Sequence, residues 1–379
     1  LNGLKNDYEV HCIAHNYIGQ NLKPPIVFED GEKIEFTLHG TGKAKYAMDI
    51  LTSTIRKNKI DIFGGLLDTF MLQEGGFMNI DTSPSKTFWY YPSDGGGGLP
   101  DTCENILKKV NMPIAMSKFA QDQIQKAHGI KSEYIPHAFD PKLFYPLSEE
   151  KKLKIKKKWG LLDKFVIGSV ARNQGRKMMD RTIKAFALFC KDKPDVVLLL
   201  HTDPNDGAQI FKLMTLINRL HLQNRIVFTG ATFHQAFTYK QMNEVYNVMD
   251  AFLLSTSGEG FGIPIIEAMA CGIPQVVTDY TTTKELVMDG IQTGEAVKLV
   301  GTEETPYPHT DEIVNGTMTG TWAVERGVMD LNDCVEKLNK LYNDQLLREK
   351  YTQASLRKAE DYTWEAIMPM WLKVLKRLE

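Results

Sequence analysis

Several protein classes are excluded by what this chain lacks. No apolar run approaches the ~20 residues needed to span a bilayer; the longest pure stretch, V-V-L-L-L at 196–200, is the size of a strand. Lys and Arg number 45 against 47 Asp and Glu, a net charge of −2, so the basic excess of a typical nucleic-acid binder is missing. The five cysteines, Cys12, Cys103, Cys190, Cys271 and Cys334, form no C-x-x-C pair. That excludes a zinc ribbon or a dithiol redox motif, and scattered single thiols suit a reducing, cytoplasmic compartment as small buried apolar residues. No D-x-D triplet occurs, and the nine His do not fall at metal-ligand spacing. His11 and His15 are four apart, but in a stretch patterned as a strand, so no metal site is expected. No signal peptide is visible. The opening L-N-G-L-K has no Met and reads as a helix end running into a strand at 8–14. An upstream strand, loop and most of a helix are therefore expected to be missing.

What is present is an ordinary globular mix, 43% hydrophobic and 24% charged. At 379 residues two domains are the default. Short apolar runs alternate with longer helical stretches, which predicts parallel α/β architecture. In the first half, strands are expected at 26–28, 34–38, 60–63, 87–91 and 114–116, with helices at 44–57, 101–110 and 117–128. A boundary falls near 141–150, where Pro136, Pro141 and Pro146 crowd together. The polar helix that follows carries K-K-L-K-I-K-K-K at 151–158. A solvated face is the better reading of it, and contact with anionic lipid at a membrane surface is the alternative. The second half alternates regularly: strands at 165–170, 196–200, 226–229, 251–254 and 275–278, and helices at 178–189, 209–219, 239–248 and 264–271. Late helices follow at 331–342, 344–359 and 364–378. The stretch 294–321, rich in Thr, Gly and Glu, reads as an insertion.

The most informative segment is S-G-E-G-F-G-I-P-I-I-E-A-M-A-C-G-I-P at 257–274. A strand runs into a Gly-rich turn and then a helix, with Pro264 at its start and Gly272 at its stop. Glycines 258, 260 and 262 allow the backbone to approach a ligand closely. The free N–H groups at the helix start offer an anion site suited to a diphosphate. Glu267 lies about one turn inside the helix, where its carboxylate can accept both hydrogen bonds of a ribose diol. Glu259, nearer the tip, faces whatever the phosphate carries, and meets hydroxyls if that is a sugar. Acidic residues near helix starts are common on electrostatic grounds alone. Dinucleotide binding is disfavoured, because Ile263 stands where a G-x-G-x-x-G motif needs its third glycine and Asp279 is a poor ribose partner.

This segment resembles the nucleotide-sugar site of the family 4 glycosyltransferases of the GT-B fold. The E-x7-E pair, with F-G between and E-A-M-A-x-G-x-P after, stands here as Glu259, Phe261, Gly262, Glu267, Gly272 and Pro274. The resemblance implies an α/β, GT-B fold of two Rossmann-like doubly wound domains facing a cleft. It implies that Glu267 holds the ribose and that Glu259 contacts the donor sugar and is catalytically important, with Gly260, Phe261, Gly262 and Ile263 lining the donor site. After strand 165–170 comes A-R-N-Q-G-R-K at 171–177, where the family carries an arginine and a lysine. By itself this is a solvated loop; the resemblance makes Arg172 and Lys177 the cations that meet a diphosphate leaving group, with Arg176 a neighbour of weaker claim. The run I-P-H-A-F-D at 135–140 resembles the end of the family's first domain, with His137 and Ala138 where Asn and Gly are usual. Many relatives carry a donor-contacting His near W-Y-Y-P-S-D at 89–94; this chain has none there, and Asp94 is the nearest polar substitute. The aromatics at 89–91 fit sugar stacking or core packing, and Gly95 to Gly98 fit a mobile lid.

The expected division is 1–145 for an acceptor-side domain, 146–362 for a nucleotide-sugar-binding domain, and 363–379 for a helix crossing back. The expected function is metal-independent transfer of a sugar, with retention, from a nucleotide-diphosphate sugar to a glycan, lipid or small-molecule acceptor, without cofactor or nucleic acid. A sugar-nucleotide-binding module without transfer activity and a nucleotide-sugar epimerase are the rival readings. Uracil, guanine and adenine donors all remain open.

Overall fold

The computed structural model describes the chain except residues 15–16, 28–32, 69–74, 98–100, 207–210, 233–234, 307–312, 315–316 and 319–322. In the first half, β1 (His11–Ile13), β2 (Ile26–Val27), β3 (Lys33–Ile34) and β4 (Thr37–His39) precede α1 (Met48–Asn58). Then come β5 (Ile62–Leu66), β6 (Lys86–Tyr91), α2 (Asp101–Lys109), β7 (Met112–Ala115), α3 (Lys118–His128) and β8 (Glu133–Tyr134). β5, β6, β7 and β8 form a parallel sheet in that order. The single strand expected at 34–38 is two strands. β3 pairs antiparallel with β2 and β4 parallel with β1, so the chain changes partners at Glu35 and Phe36. The far end of the strand expected at 26–28, His15 and the distal part of the glycine loop lie outside the described residues.

The link to the second half is tied down. Asn243 accepts from the Tyr145 backbone at 3.1 Å, and Asn247 accepts from the Leu147 backbone at 2.7 Å. The lysine-rich helix is α4 (Glu149–Lys158), which buries no residue; Lys156 pairs with Asp250 at 2.9 Å.

The second half runs β9 (Phe165–Val170), α5 (Met179–Phe189), β10 (Val196–His201), α6 (Leu213–Arg219), β11 (Ile226–Phe228), α7 (Tyr239–Asn247), β12 (Ala251–Leu254), α8 (Ile263–Ala270), β13 (Gln275–Thr278), α9 (Thr281–Met288) and β14 (Gly294–Val297). The sheet is parallel, in the order β11-β10-β9-β12-β13-β14. Its central strands are covered by helices on both faces, which is why they read as continuous apolar runs rather than alternating ones. The reading of 294–321 as an insertion needs correction at its start. Its first four residues are β14, the edge strand of the sheet, and a long hairpin follows: β15 (Leu299–Pro306), β16 (Ile313–Val314), β17 (Thr317–Met318) and β18 (Ala323–Met329). Gly294 is where β14 lies against Gln275, and a Cβ there would strike the Gln275 backbone.

The chain closes with α10 (Leu331–Asn343), α11 (Gln345–Ala359) and α12 (Trp364–Lys376). α12 reaches the first half: Trp371 packs edge-on against Tyr90 at 5.0 Å, and Arg377 pairs with Glu133 at 2.6 Å. Among the described residues, no helix is long and apolar enough to cross a membrane. Cys190, Cys271 and Cys334 are buried free thiols, and Cys12 is half-buried and free.

Candidate active site

The strand order places the site. β9 has β10 on one side and β12 on the other, so the connections after β9 and β12 leave to opposite faces and open a crevice at the strand ends. Ligands of open α/β sheets bind at such a switch point. The two loops that meet there are 171–178 and 255–262, the loops singled out in the sequence.

Their backbones are locked together. The Arg176 carbonyl accepts from the Ser257 N–H at 2.6 Å, from Ser257 Oγ at 3.0 Å and from Thr256 Oγ1 at 3.1 Å. Met178 sits at φ 49°, a left-handed conformation for a non-glycine residue, which costs energy and is typical of functional turns. Across the crevice the Glu259 N–H donates to Thr281 Oγ1 at 3.0 Å, and Thr282 Oγ1 donates to the carbonyls of Glu259 and Gly260. Gly262, at φ 102°, caps α8; Pro264 is its second residue, and Gly272, at φ 74°, ends it. Gly258 and Gly260 do allow close backbone approach, but what approaches is the first half. A Cβ at Gly258 would collide with the Asp94 carbonyl, and one at Gly260 with Pro92.

At the centre, side chains from four parts of the sequence form a line of alternating charge. Lys177 Nζ pairs with Glu259 Oε1. Glu259 Oε2 accepts from Arg176 at 2.9 Å. Arg176 Nε contacts Asp94 Oδ2 at 3.1 Å, and Asp94 Oδ1 lies 3.1 Å from Arg326 on β18. Glu259 is 3% exposed. Burial alone would raise its pKa, but the charges of Lys177 and Arg176 outweigh that and hold the carboxyl at about 2. Asp68, just past the end of β5, faces this line. Burial and the Asp94 charge raise it to about 6, against the pull of Arg176.

Glu267, on α8, has different surroundings. Its Oε2 accepts from Tyr246 Oη at 2.6 Å. Burial raises its carboxyl to about 7, and the Tyr246 hydrogen bond only tempers that. Phe261 is buried and meets His137 edge-on at 5.1 Å, and His137 in turn meets Tyr90 at 5.1 Å. His137 therefore joins the two halves at the back of the site, and burial lowers its pKa to about 4. Ile263, at the start of α8, is exposed.

The structure brings together Glu259, Lys177 and Asp94, whereas Arg172 pairs with Asp206. The Arg172 guanidinium forks onto Asp206, with Nε–Oδ2 at 2.5 Å and Nη2–Oδ1 at 3.1 Å. Arg176, the neighbour of weaker claim, occupies the centre. The turn at 175–177 swings Arg176 and Lys177 inward together, a geometry that spacing alone does not reveal. Asp68 and Arg326 escaped the sequence reading altogether. Asp68 carried one usable signal, a carboxylate just past a parallel strand; Arg326 carried none, in a strand just beyond the stretch expected to be an insertion. Among the described residues no group of three or more His, Cys, Asp or Glu is placed to hold a metal ion.

Comparison with known proteins bears on the fold. Residues 151–300 match the family model described as "Glycosyl transferases group 1". The chain is 28% identical over 183 residues to the mannosylfructose-phosphate synthase of Agrobacterium fabrum, covering 46% of this chain and 38% of that protein. The chain thus matches well under half the length of that curated relative. Its structure resembles the sucrose-phosphate synthase of Thermosynechococcus elongatus, with TM-score 0.73 and 16% identity over 100% of this chain and 91% of that one. It also resembles Anabaena HepE in complex with UDP and glucose, with TM-score 0.67 and 17% identity over 91% and 86% of the two chains. The fold is therefore α/β of the GT-B type, with parallel sheets.

Proposed function

We propose that this chain is a retaining, metal-independent glycosyltransferase of the family 4 type, which moves a sugar from a nucleotide-diphosphate sugar to a hydroxyl acceptor. The observation that carries the proposal is the buried Glu259 carboxylate, held by Lys177 and Arg176 at the sheet's switch point and beside the start of α8. A diphosphate entering there meets two side-chain cations and the free amides at 260–263, which stabilise the charge that develops as the C1–O bond to phosphate breaks. Glu259 orients the sugar, and Glu267 takes the ribose diol. The acceptor oxygen bonds to C1 while its proton passes to the departing phosphate oxygen, so no protein base is required. HepE, whose structure holds UDP and glucose, supports a nucleotide-sugar ligand by analogy of fold.

The acceptor is a glycan, a lipid or a small molecule held by the first half. We place the protein in the cytoplasm, with the exposed lysines of α4 available to an anionic membrane. Co-sedimentation with phosphatidylserine vesicles, but not with neutral ones, tests that placement.

The test of function is nucleotide release from UDP-glucose, GDP-mannose and ADP-glucose in EDTA, with the anomeric configuration of the product read by NMR. Turnover of one donor with retention is the expected result. Tight binding without turnover, with or without added acceptors, would leave a binding module, and a change in the donor sugar itself would indicate an epimerase.

A further inference from the structure

The hairpin formed by β15 and β18 lies almost wholly outside the matched family region, yet β18 touches both the 94–97 loop of the first half and the 255–262 loop of the second. Its Glu325 exchanges two backbone hydrogen bonds with Gly96 of the first half, at 3.0 and 3.1 Å. Two residues on, the Gly327 N–H donates to the Ser257 carbonyl of the second half at 2.9 Å. Between them Arg326, 7% exposed, contacts the Asp94 carboxylate at 3.1 Å and also its backbone carbonyl. Tyr280 Oη completes the joint: it donates to the Glu325 carbonyl at 2.9 Å and accepts from the Gly96 N–H at 3.0 Å. Gly95 and Gly96 are required there, because a Cβ at Gly95 would strike Val324 and one at Gly96 would crowd Glu325 and Tyr280.

We infer that Arg326 is a positioning residue for sugar transfer and that β18 is a strap pinning the first half's 94–97 loop onto the donor loop. The inference rests on the transferase reading for its consequence but not for its geometry. Arg176 has two carboxylate partners, and the one at its Nε is Asp94. Removing Arg326 takes away one of the two cations that fix the Asp94 carboxylate, so Asp94 and then Arg176 lose their alignment. Half-buried Asp94 would keep only Arg176 as its partner, so the disturbance should travel along the line rather than stay local. Glu267, which takes the ribose on the proposed reading, is not part of that line, and Lys177 keeps its pairing with Glu259. The loss should therefore appear in turnover rather than in donor affinity.

Two measurements test this on the full chain. The first is hydrogen exchange on ligand-free protein. In Arg326→Gln, backbone amides of the 94–97 loop should exchange at least about tenfold faster, while the central strands β9 and β10 keep their protection. Arg326→Lys should restore part of the protection, and Tyr280→Phe should loosen the same loop by a smaller factor. Unchanged exchange at 94–97 in a folded Arg326→Gln protein would overturn the strap. If that variant does not fold, the Tyr280→Phe result decides the matter in the same way. The second is steady-state release of nucleotide from UDP-glucose and GDP-mannose. Arg326→Gln should lower kcat about tenfold or more with KM changed less than about twofold, and Arg326→Lys should recover part of kcat. A rise in KM at constant kcat would overturn the positioning role. Failure of wild type to turn over either donor would count against the transferase reading and leave the exchange result to judge the strap.

Discussion

Glu259 and Glu267 stand eight residues apart at the two ends of one loop-to-helix turn, and the fold gives them opposite electrical surroundings. Glu259 is buried against two cations and holds its charge to about pH 2. Glu267 is buried against a phenol, and its carboxyl titrates at about 7. The difference does not come from the segment that carries them. It comes from the loop after β9, which turns Arg176 and Lys177 toward one carboxylate, and from α7, which supplies only Tyr246 to the other. A permanently charged group suits the reacting end of a donor, where charge develops. On the proposed reading, a group poised near neutrality suits a ribose, whose hydroxyls a carboxylate grips best once ionised.

Removing the first charge should break this comparison most severely. Glu259→Gln should lower turnover of the donor by roughly 10²–10³-fold, measured as nucleotide release. It should also remove stability that wild type has above the ordinary carboxyl pKa and loses as pH falls from about 4.5 toward 2, because the folded carboxyl binds its proton more weakly than the unfolded one. The two arginines of the β9 loop come next. Arg176→Ala should cost about a hundredfold in turnover, whereas Arg172→Ala should cost less than about tenfold and act mainly on melting temperature, through buried Asp206. Equal losses in turnover would return Arg172 to the site.

The second carboxylate gives a smaller, pH-dependent effect. Affinity for the nucleotide sugar, by calorimetry, should rise with pH through about 7 in wild type and stay flat in Glu267→Gln. The sign for stability is the reverse of that for Glu259. Folded Glu267 binds its proton more tightly than the unfolded chain does, so its burial destabilises increasingly as pH rises from about 4.5 to 7. Glu267→Gln should therefore gain on wild type over that window, by at most about 3 kcal/mol. The smallest change is Tyr246→Phe. It should cost about 1 kcal/mol of stability and move the affinity profile to higher pH, since the phenol's hydrogen bond is what restrains the Glu267 shift.

Much of the second half was legible in its sequence, because its strands are covered on both faces and its loops carry residues with few alternative uses. The G-E-G-F-G-I-P run has the glycine, carboxylate and proline placements that a strand, turn and helix start demand, and Lys177 followed from the family pattern. The first half was less legible. β1 to β4 are two or three residues long and change partners within a few residues, so period-2 alternation has no room to appear. Arg172 and Arg176 could not be ranked from spacing, since the turn at 175–177 decides which one faces Glu259. Asp94 was reachable only as a substitute for a missing histidine; its place between two guanidiniums depends on β18, which lies more than two hundred residues further along the chain.

A diphosphate site built on Lys177 and Arg176 is put to trial by the melting temperature of the full chain with UDP, GDP and ADP in EDTA, for wild type and Lys177→Met. A nucleotide diphosphate at a hundred times its dissociation constant should add about 2.7 kcal/mol of stability. One of the three should give such a shift in wild type, without metal, and lose it or show it sharply reduced in Lys177→Met. No shift with any of them, or an equal shift in both proteins, would contradict a diphosphate site built on Lys177 and Arg176.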